Sequence, residues 1–296
     1  MKLHGECSIC GSSRIRPYAV SFGKGLHNSI ACCPDCGIYF ANPMRSEEEL
    51  KSYYSSFYYG DSQGPTESAF HDRVSSAKKQ IAREIVTLSP PPGNFLEIGS
   101  GFGVVLEAAK AMGYSPIGIE PGDSAREYAR ERGFTVHAEA LEECNFEDSS
   151  FDVIYAWHVI EHVPDMSRFL NEVHRILKPG GLFFFGTENY RCLYNLYSRS
   201  IHLVSGSLPT LDTADEHTFL FTPRSVKRIF PRFGFRLSSV KAFQPRHKAD
   251  KFFAPARRGS MPKRTVHWVV LGSVYGLSLL LPKAGAHLKA SVVRDR

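Results

Sequence analysis

The sequence is poor in several things that would otherwise assign it a class. Its N-terminus, MKLHGECSIC, has no apolar h-region, so no secretory signal is expected there. Its longest apolar stretch, residues 266–281, falls about four residues short of the ~20 needed to cross a bilayer. No internal repeat is visible, which excludes solenoids and propellers. The charge excess is mild, +6 over 296 residues with pI near 8.9. That permits an anionic substrate, RNA or a membrane surface without selecting one. At 43% hydrophobic and 22% charged, the composition is that of a globular chain large enough for one main domain and a small one. Of the seven cysteines, four stand in two C-x-x-C pairs, a usage that suggests a reducing compartment and metal rather than disulfides.

Those pairs are Cys7-x-x-Cys10 and Cys33-x-x-Cys36, followed by Gly11 and Gly37. Two such knuckles supply four thiolates for tetrahedral zinc. Residues 1–40 have almost no apolar core, so structural Zn2+ would supply the folding energy. The bland alternative is reduced, buried cysteine. Cys32 beside Cys33 leaves the register open.

The main domain is organised around NFLEIGSGFG, residues 94–103. Phe95, Leu96 and Ile98 bracket Glu97 and run into Gly99, Gly101 and Gly103. A helix-forming run follows from Val104. This is a strand, a glycine turn and a helix N-terminus, a place where backbone N–H groups meet a ligand closely. The spacing, glycine at every second position, departs from the dinucleotide G-x-G-x-x-G pattern. A second apolar run, 114–120, ends in Glu120, 19 residues after Gly101, where a ribose-binding carboxylate belongs. A sugar-phosphate or NAD-binding Rossmann domain is the competing reading at this point.

Further strands are expected at 134–138, 151–157, 182–187, 236–243 and 287–293. Helices are expected on an apolar face running from Phe70 through Val74, Ala77, Ile81 and Ile85 to Leu88, from a Ser124-x-x-Glu127 capping box to Arg132, over 169–177 closed by Pro179-Gly180-Gly181, and from Thr222-Pro223 to Phe230. Alternation of this kind implies an α/β, doubly wound, mostly parallel sheet.

ExGxGxG at 97–103, IGIEPG at 117–122, FDVIYAWHVIEHVPD at 151–165 and LKPGG at 177–181 together resemble the class I S-adenosylmethionine (SAM) methyltransferases over about residues 70–240. The resemblance implies a Rossmann-like, seven-stranded sheet with its last strand antiparallel, preceded here by a zinc ribbon. The expected organisation is a ribbon at 1–40, a tyrosine-rich connector at 41–68 with Tyr53, Tyr54, Tyr58 and Tyr59, and a methyltransferase domain at 69–296 with insertions near 190–216 and 245–286.

The resemblance also implies site residues. The cofactor's amino acid end would meet Gly99, Ser100, Gly101 and Gly103, with Glu97 beneath the turn and Glu120 on the ribose. Family members often carry an Asp for adenine after the third strand; this chain has Glu139 and Glu142 there, and Glu142 is taken as the candidate. His158-x-x-Glu161-His162 matches an inverted zinc-protease signature, but its strand-and-turn context argues against a protease. The methyltransferase reading puts the block at the tip of the fourth strand, with His158 facing the cofactor. Ubiquinone-pathway O-methyltransferases associate a Glu-x-x-Glu-His version with a divalent metal; here His158 replaces the first Glu. Asp215-Glu216-His217 is similar to the Glu-His block of sugar C-methyltransferases, which also begin with a four-cysteine ribbon. His217 is the expected base, His162 the second candidate and Glu216 its orienting partner.

The expected activity is methyl transfer from SAM to a sugar, glycan or secondary metabolite, on oxygen or carbon. A zinc-ribbon rRNA base methyltransferase, with RNA as partner, and a non-catalytic ribbon protein are the alternatives. Seven Lys/Arg against one Asp in 245–264, before the apolar run, set peripheral membrane contact through 246–281 against packing on the core. A cytoplasmic location is expected, and oligomeric state is not legible.

Overall fold

Apolar runs with β-rich composition pair into one seven-stranded sheet, and a second, four-stranded sheet forms around the cysteines. The structure is a computed structural model that describes residues 4–22, 27–44, 46, 48–49, 64–192, 195, 217–243 and 285–295. The connector tyrosines at 53–59, Glu216, most of the 190–216 segment and the whole of 246–281 lie outside the described residues.

The large sheet comprises β4 (Asn94–Ile98), β5 (Ser115–Ile119), β6 (Val136–His137), β7 (Phe151–Trp157), β8 (Leu177–Glu188), β10 (Phe235–Phe243) and β11 (His287–Arg294), in the order β10-β11-β8-β7-β4-β5-β6. β4 to β8 pair in parallel; β11 runs antiparallel between β8 and β10. The chain leaves β4 toward β5 and later returns to β4's other side as β7. The strand order therefore reverses at β4, and in a sheet of this kind the ligand crevice lies beyond the carboxyl end of that strand.

Helices cover both faces. α1 (Glu67–Glu84) starts at Thr66, whose hydroxyl accepts from the Ala69 amide, and buries Phe70, Val74, Ala77 and Ile81. They pack with Phe95, Val153, Leu182 and Phe184. The expected face overran: α1 stops at Glu84 and Leu88 is exposed. α4 (Met166–Ile176) places Phe169, Leu170 and Val173 against Leu96, Ile154, Phe183 and Phe185 on the opposite face. Successive strand residues point to opposite faces, so 182–185 feeds both cores.

Two expectations need correction. The Ser124-Glu127 capping box is not made. α3 (Asp123–Glu131) is capped at Gly122, which leaves Ser124 inside the first turn with its hydroxyl unbonded. The Pro179-Gly180-Gly181 segment does not close a helix either. α4 ends at Ile176 and the chain passes directly into β8. Elsewhere the caps are as expected: α2 (Val104–Ala111) begins at left-handed Gly103, and α5 (Pro223–Ile229) has Thr222 and Ser225 capping each other reciprocally.

The small sheet has β1 (Arg16–Phe22), β2 (His27–Cys32) and β3 (Tyr39–Asn42) in an antiparallel meander. Its fourth strand, β9 (Phe219–Leu220), comes from the far side of the chain, between β8 and α5. The expected coreless ribbon therefore looks different in place. Ile9, Ile38 and Phe40 are buried in one cluster with Phe219, Phe221, Val226 and Ile229. The first knuckle receives a hydrogen bond from Ser167 on α4, and the second receives two from Arg228 on α5. No helix among the described residues is long and apolar enough to cross a membrane.

Candidate active site

The crevice at the carboxyl end of β4 is floored by the glycine turn. Gly99 has φ +73°, and a Cβ there would lie 2.6 Å from Val159, so both conformation and space require glycine. The amides of Gly99 and Ser100 bond to the Ile119 carbonyl at 2.8 and 2.9 Å, stitching the turn to the tip of β5.

Glu120 follows that tip. One of its oxygens accepts from the Gly101 amide at 2.7 Å, the other from the Gly122 amide at 2.8 Å, and the side chain is buried. The carboxylate thus clamps the glycine turn to the start of α3. Arg126 donates to the Glu120 and Pro121 carbonyls and fixes this corner from below.

Glu97 lies beneath the turn, 4% exposed, and its Oε2 has no hydrogen-bond partner. Burial, and then the charge of Glu120, hold its carboxyl well above the usual range. The Ser100 hydroxyl is also buried without a partner. Unsatisfied polar atoms at a closed turn are costly unless a ligand meets them. An ammonium and a carboxylate, the two ends of an amino acid, fit this donor and acceptor set. Glu142 lies in a 3-10 turn at Leu141–Glu143, after β6, where the adenine end is expected.

The second half of the crevice lies at the tips of β7 and β8. His158 follows β7 with φ +55°, a strained conformation of the kind concentrated at functional sites. Its Nδ1 lies 2.9 Å from Glu161 Oε1, and its ring meets His287, at the start of β11, edge-on at 5.1 Å. Glu161 is 1% exposed and its second oxygen has no hydrogen-bond partner. Burial alone would raise its pKa. The His158 hydrogen bond and the neighbouring His162 and His217 outweigh that and hold it at about 2.

The rings of His162 and His217 are 4.7 Å apart, and Glu188 at the end of β8 lies 4.0 Å from His217 Nδ1. Glu161, His162 and His217 can bring one polar atom each within 4.8 Å of one another. The structure thus gathers His158, His162 and His217 around one carboxylate. Sequence reasoning named Glu161 only as part of the His158–His162 block, without a role, and gave Glu188 and His287 no place in the site. Glu161 carried a signal, since it is the carboxylate inside the His158–His162 block; Glu188 and His287 carried none.

The cysteines also converge. Cys7 and Cys36 sulfurs are 3.7 Å apart, Cys10 and Cys33 3.5 Å, and all four lie within 4.8 Å of one another. A zinc tetrahedron with bonds of about 2.3 Å has edges of roughly 3.8 Å, so the donor set fits that ion. The Cys7 thiol is pushed down to about 5, first by Cys36 and then, against burial, by the amides of Ile9 and Cys10.

Comparison with known proteins bears on this arrangement. A family profile described as "Methyltransferase domain" matches residues 71–240, more than half the chain. The ubiquinone biosynthesis O-methyltransferase of Paramagnetospirillum magneticum is 35% identical over 131 residues, 42% of this chain and 52% of that protein. The Methylococcus capsulatus enzyme of the same name is 35% identical over 103 residues, 32% and 43% respectively. The chain spans about half the length of the curated relatives it matches. Among solved structures, a SAM dependent methyltransferase from Archaeoglobus fulgidus superposes with a TM-score of 0.51 at 18% identity, over 75% of this chain and 94% of that one. Haemonchus contortus phosphoethanolamine N-methyltransferase 2, in complex with S-adenosyl-L-methionine, superposes at 0.52 and 16%, over 95% and 69%. At such identities the likeness speaks for the fold.

Proposed function

Because the chain belongs to the methyltransferase-domain family, we propose that it is a SAM-dependent methyltransferase that methylates a hydroxyl of a small-molecule acceptor, with His217 as the base. The observation that carries the cofactor side is the buried Glu120 carboxylate bridging the Gly101 and Gly122 amides, beside the unpartnered Glu97 oxygen. SAM supplies a methyl on a sulfonium, open to in-line attack. Glu120 would accept from the two ribose hydroxyls. Glu97 would take the ammonium, with Gly99, Ser100, Gly101 and Gly103 around the amino acid end, and Glu142 would meet the adenine. His158 would border the methyl.

On the acceptor side, His217 would receive the hydroxyl proton on a ring nitrogen as the new oxygen–carbon bond forms and the sulfur–carbon bond breaks. Glu188, and Glu216 from the adjacent segment, would orient that ring. His162 would take the second position against it, and Glu161 would hold the cluster's charge. The printed names of the curated relatives support oxygen over carbon as the methylated atom. The Glu-His block and the four-cysteine module support a sugar or glycan as the class of acceptor, alongside a secondary metabolite. Cys7, Cys10, Cys33 and Cys36 would hold structural Zn2+.

The test uses purified protein, methyl-labelled SAM and a panel of catechols, sugars and rRNA. Label in an alkali-stable ether on a small molecule supports the reading. Label in rRNA alone would replace it with base methylation. SAM binding with no transfer to any acceptor would favour a ribbon-borne interaction role.

A further inference from the structure

The four-cysteine module and His217 are joined by main-chain hydrogen bonds. β9 is only two residues long, and a strand of that length has no stability of its own. Tyr39 and Phe40 of β3 pair with Leu220 and Phe219 of β9. The Ala41 amide donates to the Thr218 carbonyl at 2.9 Å. On the other side, the Glu161 carbonyl accepts from the Thr218 and Phe219 amides at 2.8 and 3.0 Å. The segment beginning at His217 is therefore gripped between β3 and the turn that carries Glu161 and His162.

β3 itself is an extension of the second knuckle. Cys33 donates its amide to the Ile38 carbonyl, Gly37 donates to Cys33, and β3 starts two residues after Gly37. Phe40 and Ile38 are buried against Phe219 and Phe221 in the shared core. The glycine turn meets this chain of contacts only where Gly99 packs on Val159, and among the described residues it shares no hydrogen bond with β3 or β9. It is tied to β5 and Glu120 instead.

We propose that the cysteine module positions the acceptor-side base: β3, through the Ala41 amide and its pairing with β9, sets where His217 stands against His162, so metal ligation is read at the acceptor half of the crevice and not at the cofactor half. This rests on His217 being the base. Ala41 and the paired β3 residues are positioning residues, since they touch neither cofactor nor acceptor. The Ala41 amide points at β9, so proline at this position deletes the bond to Thr218 while glycine keeps it.

Amide hydrogen exchange tests this without turnover. In the zinc-loaded full chain, Ala41→Pro should raise exchange at Thr218 and Phe219 at least tenfold. The affinity for SAM, measured by calorimetry, should stay within twofold, and Ala41→Gly should retain wild-type protection. Cys10→Ser, which removes a thiolate of the first knuckle and leaves the second knuckle and β3 unaltered in sequence, should reduce bound zinc and raise exchange at the same two amides. A decorative module would leave those amides unmoved in both variants, and that result overturns the proposal. So does a loss of SAM affinity equal to the gain in exchange, because the effect would then be global. Failure of the base assignment looks different: His217→Ala would retain transfer while the exchange pattern still held.

Discussion

The two halves of the crevice are built in contrasting ways. The cofactor half is local: Glu97, the glycine turn, Glu120 and Gly122 fall within 26 residues, and backbone amides close it. The acceptor half is assembled from afar. It brings together the tip of β7, the end of β8, the start of β11, the segment at 217–219 and, behind that, β3 of the N-terminal sheet. A local site is specified by its own turn chemistry. A distributed one inherits its geometry from every element that supports it, so it is open to change without loss of the cofactor.

Glu120→Ala should have the largest effect. It strands the Gly101 and Gly122 amides and removes the proposed ribose acceptor, a loss of roughly 3 kcal/mol, on the order of 100-fold in Kd for SAM. Calorimetry checks it. Near-normal SAM affinity in this variant would erase the contrast between the halves. His217→Ala comes next, with methyl transfer slowed about 100- to 10,000-fold and SAM affinity unchanged. Single-turnover measurement with labelled SAM separates the two quantities.

The same contrast explains what was legible. Strands 94–98, 115–119 and 151–157, the glycine turn and Glu120 are written in runs of a few residues, because period, punctuation and spacing decide them there. So are the two knuckles. The β3–β9 pairing was not legible: Phe219 and Leu220 make a strand only because Tyr39 and Phe40, about 180 residues earlier, lie beside them. Glu161 was hidden differently. Its residue type was visible, but its role depends on His217 arriving from another segment. Leu88 failed because an apolar period ran past the point where the chain turned, and Ser124 because Gly122 provided the helix start instead.

Glu97 sharpens the comparison in the pH dimension. Burial and Glu120 raise its folded pKa above the unfolded value of about 4.3. Its contribution to the stability of the ligand-free protein is therefore complete below pH ~4.3 and is lost as pH rises through the folded value. Glu97→Gln should raise the ligand-free Tm at pH 7, leave it unaltered near pH 4, and shrink the shift that SAM produces. A lower Tm at pH 7 would show that the Glu97 charge is already compensated.

The smallest effect contrasts two helix starts. Thr222 and Ser225 cap α5 reciprocally, with Ser225 donating its amide to the Thr222 hydroxyl at 3.0 Å, and both side chains are buried. Ser124 sits in the first turn of α3 with an unbonded hydroxyl, because Gly122 holds the cap position. Thr222→Ala should cost about 1 kcal/mol, a Tm drop of roughly 2–4 °C. Ser124→Ala should fall within about 0.5 kcal/mol of wild type, or on the stabilising side, since it removes a polar atom that has no partner. Paired thermal melts decide it. Because α5 also carries Arg228 into the second knuckle and follows the segment bearing His217, any rate loss in Thr222→Ala should appear in methyl transfer and not in SAM affinity. A cap substitution on α3, next to Glu120, should do the reverse.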